Sequence, residues 1–531
     1  MGLPLVREPH MRTASSHKNL ALVQITSVLF EKTRHVAKAV VAVLLVVTES
    51  SALAFQFQLG DGAVEGAFDS TFSVGATFRT RDPSDKLLAN VNGNDGNSRS
   101  DAWDAVYGPV KGLHELQLNA GGYTALFRTS YFYDAVNDHE NLVDGARDRA
   151  VSNIALLDAF LQGNWSVTDN HAINWRIGNQ VISWGESTYI GGSLNDINTT
   201  DLSKLRLPGS ELKEALLPTP AVWASINVTD SLSAEAFYLL GFSRLRLDPR
   251  GTFFSTNDFI SSGGRYFYAG GSTLTYKGRD MPSDQGQYGV ALRYLSQDLG
   301  DTEFSLYFMN LHNHAPIVAG VRGGAGVEPG YIQTFPESNR LYGLGVNTHI
   351  GRAAVQGEYS YRPNKPLQMP SFVAGALGLG DYSALPAGSV IKSVDRRAIS
   401  QAQATVTYAF GPTLSADQLM VVFESAYNRT HNVPSWSSAD TSAWGYSGRA
   451  TMTWNNLLHG ANFAPYVAHA HDVNGTSADG TFIDGRKSVA VGLTVDYQLA
   501  WNADLSYTNY MGSANPIFDR DFLAFTLSYA F

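Results

Sequence analysis

The last ten residues, 522–531, read FLAFTLSYAF, and their period is two. Leu523, Phe525, Leu527, Tyr529 and Phe531 fall on one face; Ala524, Thr526, Ser528 and Ala530 fall on the other. A β-strand turns successive side chains to opposite sides, so this is a strand with one apolar face and one small, polar face. The pattern recurs upstream. Val489, Val491, Leu493, Val495 and Tyr497 oppose Ala490, Gly492, Thr494 and Asp496, and 402–410 and 355–361 alternate likewise. A two-sheet sandwich shows such alternation too, so strand number, strand length and loop pattern have to decide.

Eighteen segments carry the signal: 66–80, 111–119, 122–134, 153–168, 171–183, 220–228, 231–247, 287–297, 302–311, 340–350, 352–362, 399–410, 416–429, 444–456, 462–471, 486–498, 501–510 and 521–531. Sixteen is the nearest alternative count. Connections after even segments are tight, as at Gly121, Asp169-Asn170, Thr229-Asp230 and Gly351. Those after odd segments are long and rich in Gly, Ser, Asn, Asp and Pro. Short turns at one end and long loops at the other predict an all-β fold, an antiparallel up-and-down barrel of the outer-membrane kind. Closure matters physically, because an open edge in hydrocarbon leaves backbone groups unpaired.

Composition agrees. The 531 residues hold 50 Gly, 25 Tyr, 27 Phe and no Cys, with 16% charged side chains and a net charge of -10. Soluble domains carry about 25% charged residues, so a cytosolic α/β enzyme is disfavoured. The absence of Cys removes disulfides and thiolate chemistry. An acidic balance leaves no basic footprint for nucleic acid. The aromatic excess has a home at the two membrane interfaces, where Tyr123, Tyr131, Tyr133, Tyr359, Tyr361, Tyr408, Tyr497, Tyr507 and Tyr529 sit near segment ends. The terminal Phe531 on the outward face fits a signal read by the barrel-insertion machinery, with outer-membrane lipid as the surrounding partner.

The longest apolar run, AVVAVLLVV at 39–47, is nine residues, short of the about 20 a membrane helix needs. Lys32, Arg34 and Lys38 precede it and Ala52-Leu53-Ala54 follows, which reads as a signal peptide with a long n-region over 1–54. A barrel over 55–531 then localises to the outer membrane of a Gram-negative bacterium. That part holds 32 Lys/Arg against 45 Asp/Glu.

A lumen of eighteen strands is too wide to fill with side chains alone. Its inward charges would be Arg128, Arg176, Glu235, Arg293, Glu358, Arg362, Glu424, Asp496 and Asp504, of mixed sign. They serve either as a selectivity lining or as paired charges that stiffen the wall. The connection after the fifth segment, 184–218, reads WGESTYIGGSLNDINTTDLSKLRLPGSELKEALLP. Thr200 or Asp201 caps a short helix with Leu202 and Leu205; Ser210 caps another with Leu212, Leu216 and Leu217. The expectation is an inward-folded constriction or plug. Its contacts would be Trp184, Glu186, Lys204, Arg206, Glu211 and Lys213, facing Arg128, Arg176, Glu358 and Arg362 on the wall.

Enzyme signatures are weak. Trp184-Gly185-Glu186-Ser187 lacks the nucleophile elbow, and Gly323-Gly324-Ala325-Gly326 has no following helix or Lys-Ser/Thr to cradle a phosphate. The pairs His312/His314 and His469/His471 each share a strand face but lack a third ligand. No catalytic residue, metal or cofactor is expected.

RIGNQVISWGESTYI (176–190), KLRLPGSELKEALLPTPAVWASI (204–226), DPRGTFFSTNDF (248–259), FQFQLGDG (55–62) and TSYFYD (129–134) resemble the proteobacterial outer-membrane family called domain of unknown function 1302. The likeness runs from 55 to 531. It implies a porin-like conduit for small organic compounds, hydrophobic or amphipathic. Such barrels are often encoded near inner-membrane exporters of the resistance–nodulation–division type, so a periplasmic carrier and an exporter are implied partners. A non-conducting anchor or assembly protein is the alternative. Asn179 departs from the family pattern, where Arg or Lys is more usual; a lost lumen charge there would alter selectivity.

Overall fold

The computed structural model describes residues 55–168 and 171–531. The expected signal peptide over 1–54 and the turn at 169–170 lie outside the described residues. Eighteen antiparallel strands form the wall: β1 Val64–Arg79, β2 Pro109–Ala120, β3 Tyr123–Asp134, β4 Ser152–Thr168, β5 His171–Gln180, β6 Thr219–Asn227, β7 Leu232–Leu239, β8 Gln287–Ser296, β9 Thr302–Leu311, β10 Asn339–Ile350, β11 Ala353–Gln368, β12 Val394–Thr413, β13 Ala416–His431, β14 Ser442–Leu458, β15 Ala461–Asn474, β16 Lys487–Tyr497, β17 Trp501–Met511 and β18 Phe522–Ala530. Each pairs with its sequence neighbour. β18 then pairs with β1, from Thr71↔Ala530 to Arg79↔Phe522, and closes the barrel. Ser70 and Phe531 exchange backbone hydrogen bonds of 2.8 and 3.0 Å at the seam. Below the end of β18, the strand Phe55–Leu59 pairs with Val64 to Phe68 and continues the sheet.

Pleating sorts the side chains by face. On β8, Tyr288, Val290, Leu292 and Tyr294 are exposed outward while Gln287, Gly289 and Ala291 are buried inward. Leu306, Leu344, Val491 and Phe525 extend the same exposed apolar band around the wall. Tyr123, Tyr131, Tyr133, Tyr359, Tyr497 and Tyr507 are exposed as girdle residues should be; Tyr529 is buried instead, its ring 4.7 Å from Trp501. The segment expected to run to 247 stops at Leu239, and 240–248 is largely irregular.

The long-loop end carries a second sheet that the alternation did not announce. Tyr266–Ala269, Ser272–Asp280, Gly330–Thr334, Ile317–Val321 and Val390–Ile391 form five strands across three loops. The helix Ser371–Leu377 packs on it, and Leu274, Val318, Tyr331, Phe372 and Ala376 make its core. His312 and His314 follow the end of β9 rather than sharing a strand face, and Phe242 stacks on His314 at 5.6 Å. Among the described residues, no three His, Asp or Glu side chains gather as a metal site.

Candidate functional site

The loop 181–218 leaves β5 at the long-loop end and folds inside the wall in two lobes. The first, 182–197, is seated by an apolar cluster. Trp184 packs with Ile182, Leu194, Ile197, Phe237, Tyr307 and Met309, and its indole N–H donates to Glu235 at 2.8 Å. Gly343 allows this approach: a Cβ there would stand 2.2 Å from Leu194 Cδ2. The lobe tip is held through its backbone. Thr188, Tyr189 and Ile190 donate N–H groups to the Glu424 carboxylate at 2.7, 3.1 and 2.8 Å, and the Thr405 hydroxyl adds a fourth bond at 3.0 Å. Glu358 accepts from the Glu186 N–H. Arg362 donates to the carbonyls of Gly192 and Ser193 and to Asp196. Three charged wall residues are thus consumed in holding peptide groups, which is how buried charge is made tolerable.

The second lobe, 200–217, carries the helices Leu202–Leu205 and Leu212–Ala215. Asp201 precedes the first; Glu211, not the expected Ser210, caps the second, with its N–H on Glu214 at 3.1 Å. This lobe leans on the opposite wall. Lys111 of β2 donates to Gly209 O, Ser210 and Glu214 at 3.0, 2.8 and 2.7 Å. Pro208 lies over Gly75 of β1, where a Cβ would meet it at 2.6 Å. Lys204 is buried with Ser130 at 3.3 Å, and that burial holds its ammonium below the usual lysine range against the pull of Asp201 and Glu214. Arg206 pairs with Asp248 at 2.6 Å and lies over Phe254.

These placements redistribute the expected contacts. Trp184 is 1% exposed, and Lys204, Glu358 and Arg362 are nearly as enclosed, so these four anchor the loop and present little to a solute. Arg128 is tied to Glu115 and Asp158, and Arg176 lies between the rings of Phe160 and Trp223 at 5.0 and 5.4 Å. Glu211 and Lys213 do reach open space. They line a vestibule of about 710 Å³ at the short-turn end, facing Asp496, Asn502, Asp504 and Thr526. Leu205 and Leu212 are exposed on the loop surface. Asn179 shares its strand face with exposed Ile177, the outward face, and its amide donates to Leu157 O; the missing charge is therefore not a lumen charge.

The loop's anchoring bonds fall on β2, β3, β7 and β11–β13. The inward face of β14–β17 is a half-exposed stripe of small residues, among them Ala464, Ala468, Ala490, Gly492 and Ser506. One cation interrupts it. Arg449 lies 3.7 Å over the Tyr466 ring, with Asp504 beside Tyr466, and among the described residues it forms no salt bridge. Across from it stands exposed Tyr189 at the loop tip. Arg449 and Tyr466 were not singled out from the sequence, although the parity of 444–456 and 462–471 already turns both inward.

A family model described as "Protein of unknown function (DUF1302)" matches residues 35–531. The chain belongs to the DUF1302 family. A comparison with curated protein sequences finds no match. Solved structures similar to this DUF1302 protein include Acinetobacter baumannii OccAB4, at 11% identity and TM-score 0.43, covering 90% of this chain and 98% of that one. A BenF-like porin from Pseudomonas fluorescens Pf-5 is similar at 10% identity and TM-score 0.43, covering 88% and 98%. Pseudomonas aeruginosa OccK2 (OpdF), solved in complex with glucuronate, is similar at 11% identity and TM-score 0.41, covering 90% and 97%.

Proposed function

We propose that this DUF1302 protein is an outer-membrane channel that passes small amphipathic organic compounds, and that it is not an enzyme. A closed β wall with an exposed apolar band is the β solution a bilayer allows. The observation that carries the reading is the unequal lumen: a two-lobed loop braced on β2, β3, β7 and β11–β13, and a stripe of small side chains with a single stacked arginine on β14–β17. Small side chains leave room for a hydrocarbon part. Arg449, Tyr466 and Asp504 give a polar end something to orient against. The loop's exposed Leu205 and Leu212 add apolar surface to the constriction.

Reconstituting the protein in a planar bilayer tests this. Steady single-channel steps that organic solutes block would support a channel. A folded but silent barrel would sink it.

A second reading, a non-conducting anchor with a periplasmic partner such as a carrier or exporter component, has one observation in its favour. The short-turn rim displays Leu299, Ile350, Leu414 and Leu499, the last 98% exposed. That ring would bury apolar surface only against something else. Changing these four to Ser would abolish partner co-purification under the anchor reading and leave conductance unchanged under the channel reading.

A further inference from the structure

His469 and His471 belong to neither the loop nor the lumen stripe. Strand parity turns both outward, between inward Ala468 and Ala470 and beside exposed Val467. Their register partners place a row across three strands: Tyr446 of β14 opposite His471, and His471 opposite Lys487 of β16. The Tyr446 ring lies 5.5 Å from His469 and 5.8 Å from His471, and it stacks on outward Phe423. Among the described residues Lys487 forms no ion pair. Arg429, exposed two residues beyond exposed Tyr427 on β13, adds a further outward cation toward the long-loop end. The outward positions of β13–β17 hold one acidic residue, Asp417, at the short-turn end of β13 and far from the row.

Height identifies what this row meets. Lys487 and Tyr497 share the outward face of β16, with only Val489, Val491, Leu493 and Val495 between them. Ten residues at about 3.3 Å each, tilted about 40°, span about 25 Å along the barrel axis, the height of an outer-membrane apolar band. Tyr497 therefore marks the short-turn interface, and the His469, His471 and Lys487 row marks the interface at the long-loop end.

We propose that this row binds the phosphate of an outer-leaflet glycolipid, an inference that rests on the outer-membrane reading above. Lys487 and the two imidazoles supply donors to the phosphate oxygens, as basic side chains at a membrane surface do for anionic headgroups. Val489, Val491 and Val467 directly beneath supply the surface for acyl chains. A free phosphate would use only the upper half of this arrangement, so the lipid is the better occupant.

The test is native mass spectrometry of the detergent-extracted protein titrated with diphosphoryl lipid A, with the same glycolipid after dephosphorylation, and with inorganic phosphate as competitor. The H469A/H471A/K487A variant should retain diphosphoryl lipid A about tenfold more weakly and bind the dephosphorylated lipid like the parent, and inorganic phosphate should displace the glycolipid from neither form. Equal retention by variant and parent would overturn the proposal, as would displacement of the lipid from the parent by inorganic phosphate. R449A, changed inside the lumen, should bind lipid as the parent does, and heat-modifiable migration on gels confirms that each variant is folded. Membrane fractionation separates the two claims: a protein absent from the outer membrane defeats the location while the titration still reports on the row.

Discussion

Glu424 shows at the residue scale how a charge can serve a loop and not a solute. Fully buried on β13, its carboxylate satisfies three consecutive backbone N–H groups at the loop tip. Glu424→Ala leaves them without an acceptor, a loss on the order of 3 kcal/mol to the local structure. The expected outcome is lost hydrogen-exchange protection across 186–193 in a barrel that remains folded; retained protection would remove Glu424 as the anchor. Glu186, next to that tip, makes a pH prediction. Burial, reinforced by Glu358 and Glu303 against Arg293, holds its carboxyl above the usual range. A raised carboxyl contributes stability below its unfolded value and loses it as pH rises through the folded one. Glu186→Gln should therefore be more stable than the parent at neutral pH, with the Tm difference closing on acidification; a difference constant with pH would refute this. Arg449, half-buried on the lumen stripe, is the cation that meets solute under the channel reading. Arg449→Ala should shift the reversal potential in a salt gradient toward cation preference, and an unchanged potential would place Arg449 outside the conducting path.

The two-lobed loop is the element folded back inside the wall. Its helices are of four residues each, too short to persist alone, so side-chain anchors set its course. Replacing 196–216 by a short Gly/Ser linker should raise single-channel conductance, and an unchanged value would show that the loop does not limit flow. Gly75→Val is the finer version. Its new side chain would strike Pro208 and the Phe525 carbonyl, neither of which can swing away, so the second lobe should lift and conductance rise while β1 stays paired. The loop's position after the fifth strand was legible, and so were its short helices. The Glu211 cap was not, because Ser210 is the better cap by type and only the Lys111 contact draws its hydroxyl elsewhere.

At the scale of the whole molecule, the seam between β1 and β18 converts a sheet into a barrel and leaves no edge. Phe531 stands at that seam against Phe72 and Tyr529. If it carries the insertion signal, Phe531→Ala should lower the amount of heat-modifiable barrel in membranes while the refolded protein in detergent keeps its Tm within a few degrees. Normal membrane amounts would dissociate Phe531 from assembly. The second sheet at the long-loop end is a property of this scale too. Its strands come from three loops and include a parallel pair, Ser272–Asp280 with Gly330–Thr334, a pairing between residues far apart in the chain.

Period-two alternation with alternating loop lengths was enough to determine the barrel, its eighteen strands and which end bears the long loops, because pleat and bilayer impose that pattern residue by residue. Family membership was also legible in the stretches around the fifth and sixth strands. Tertiary structure alone decided what each inward charge does. Arg362 and Glu424 have the parity of pore-lining residues, yet both end under the loop; Arg449 has the same parity and stays uncovered. Parity is local, whereas occlusion depends on where a loop 38 residues long folds back across the lumen, and that is set by close approaches such as Leu194 on Gly343 and Pro208 on Gly75.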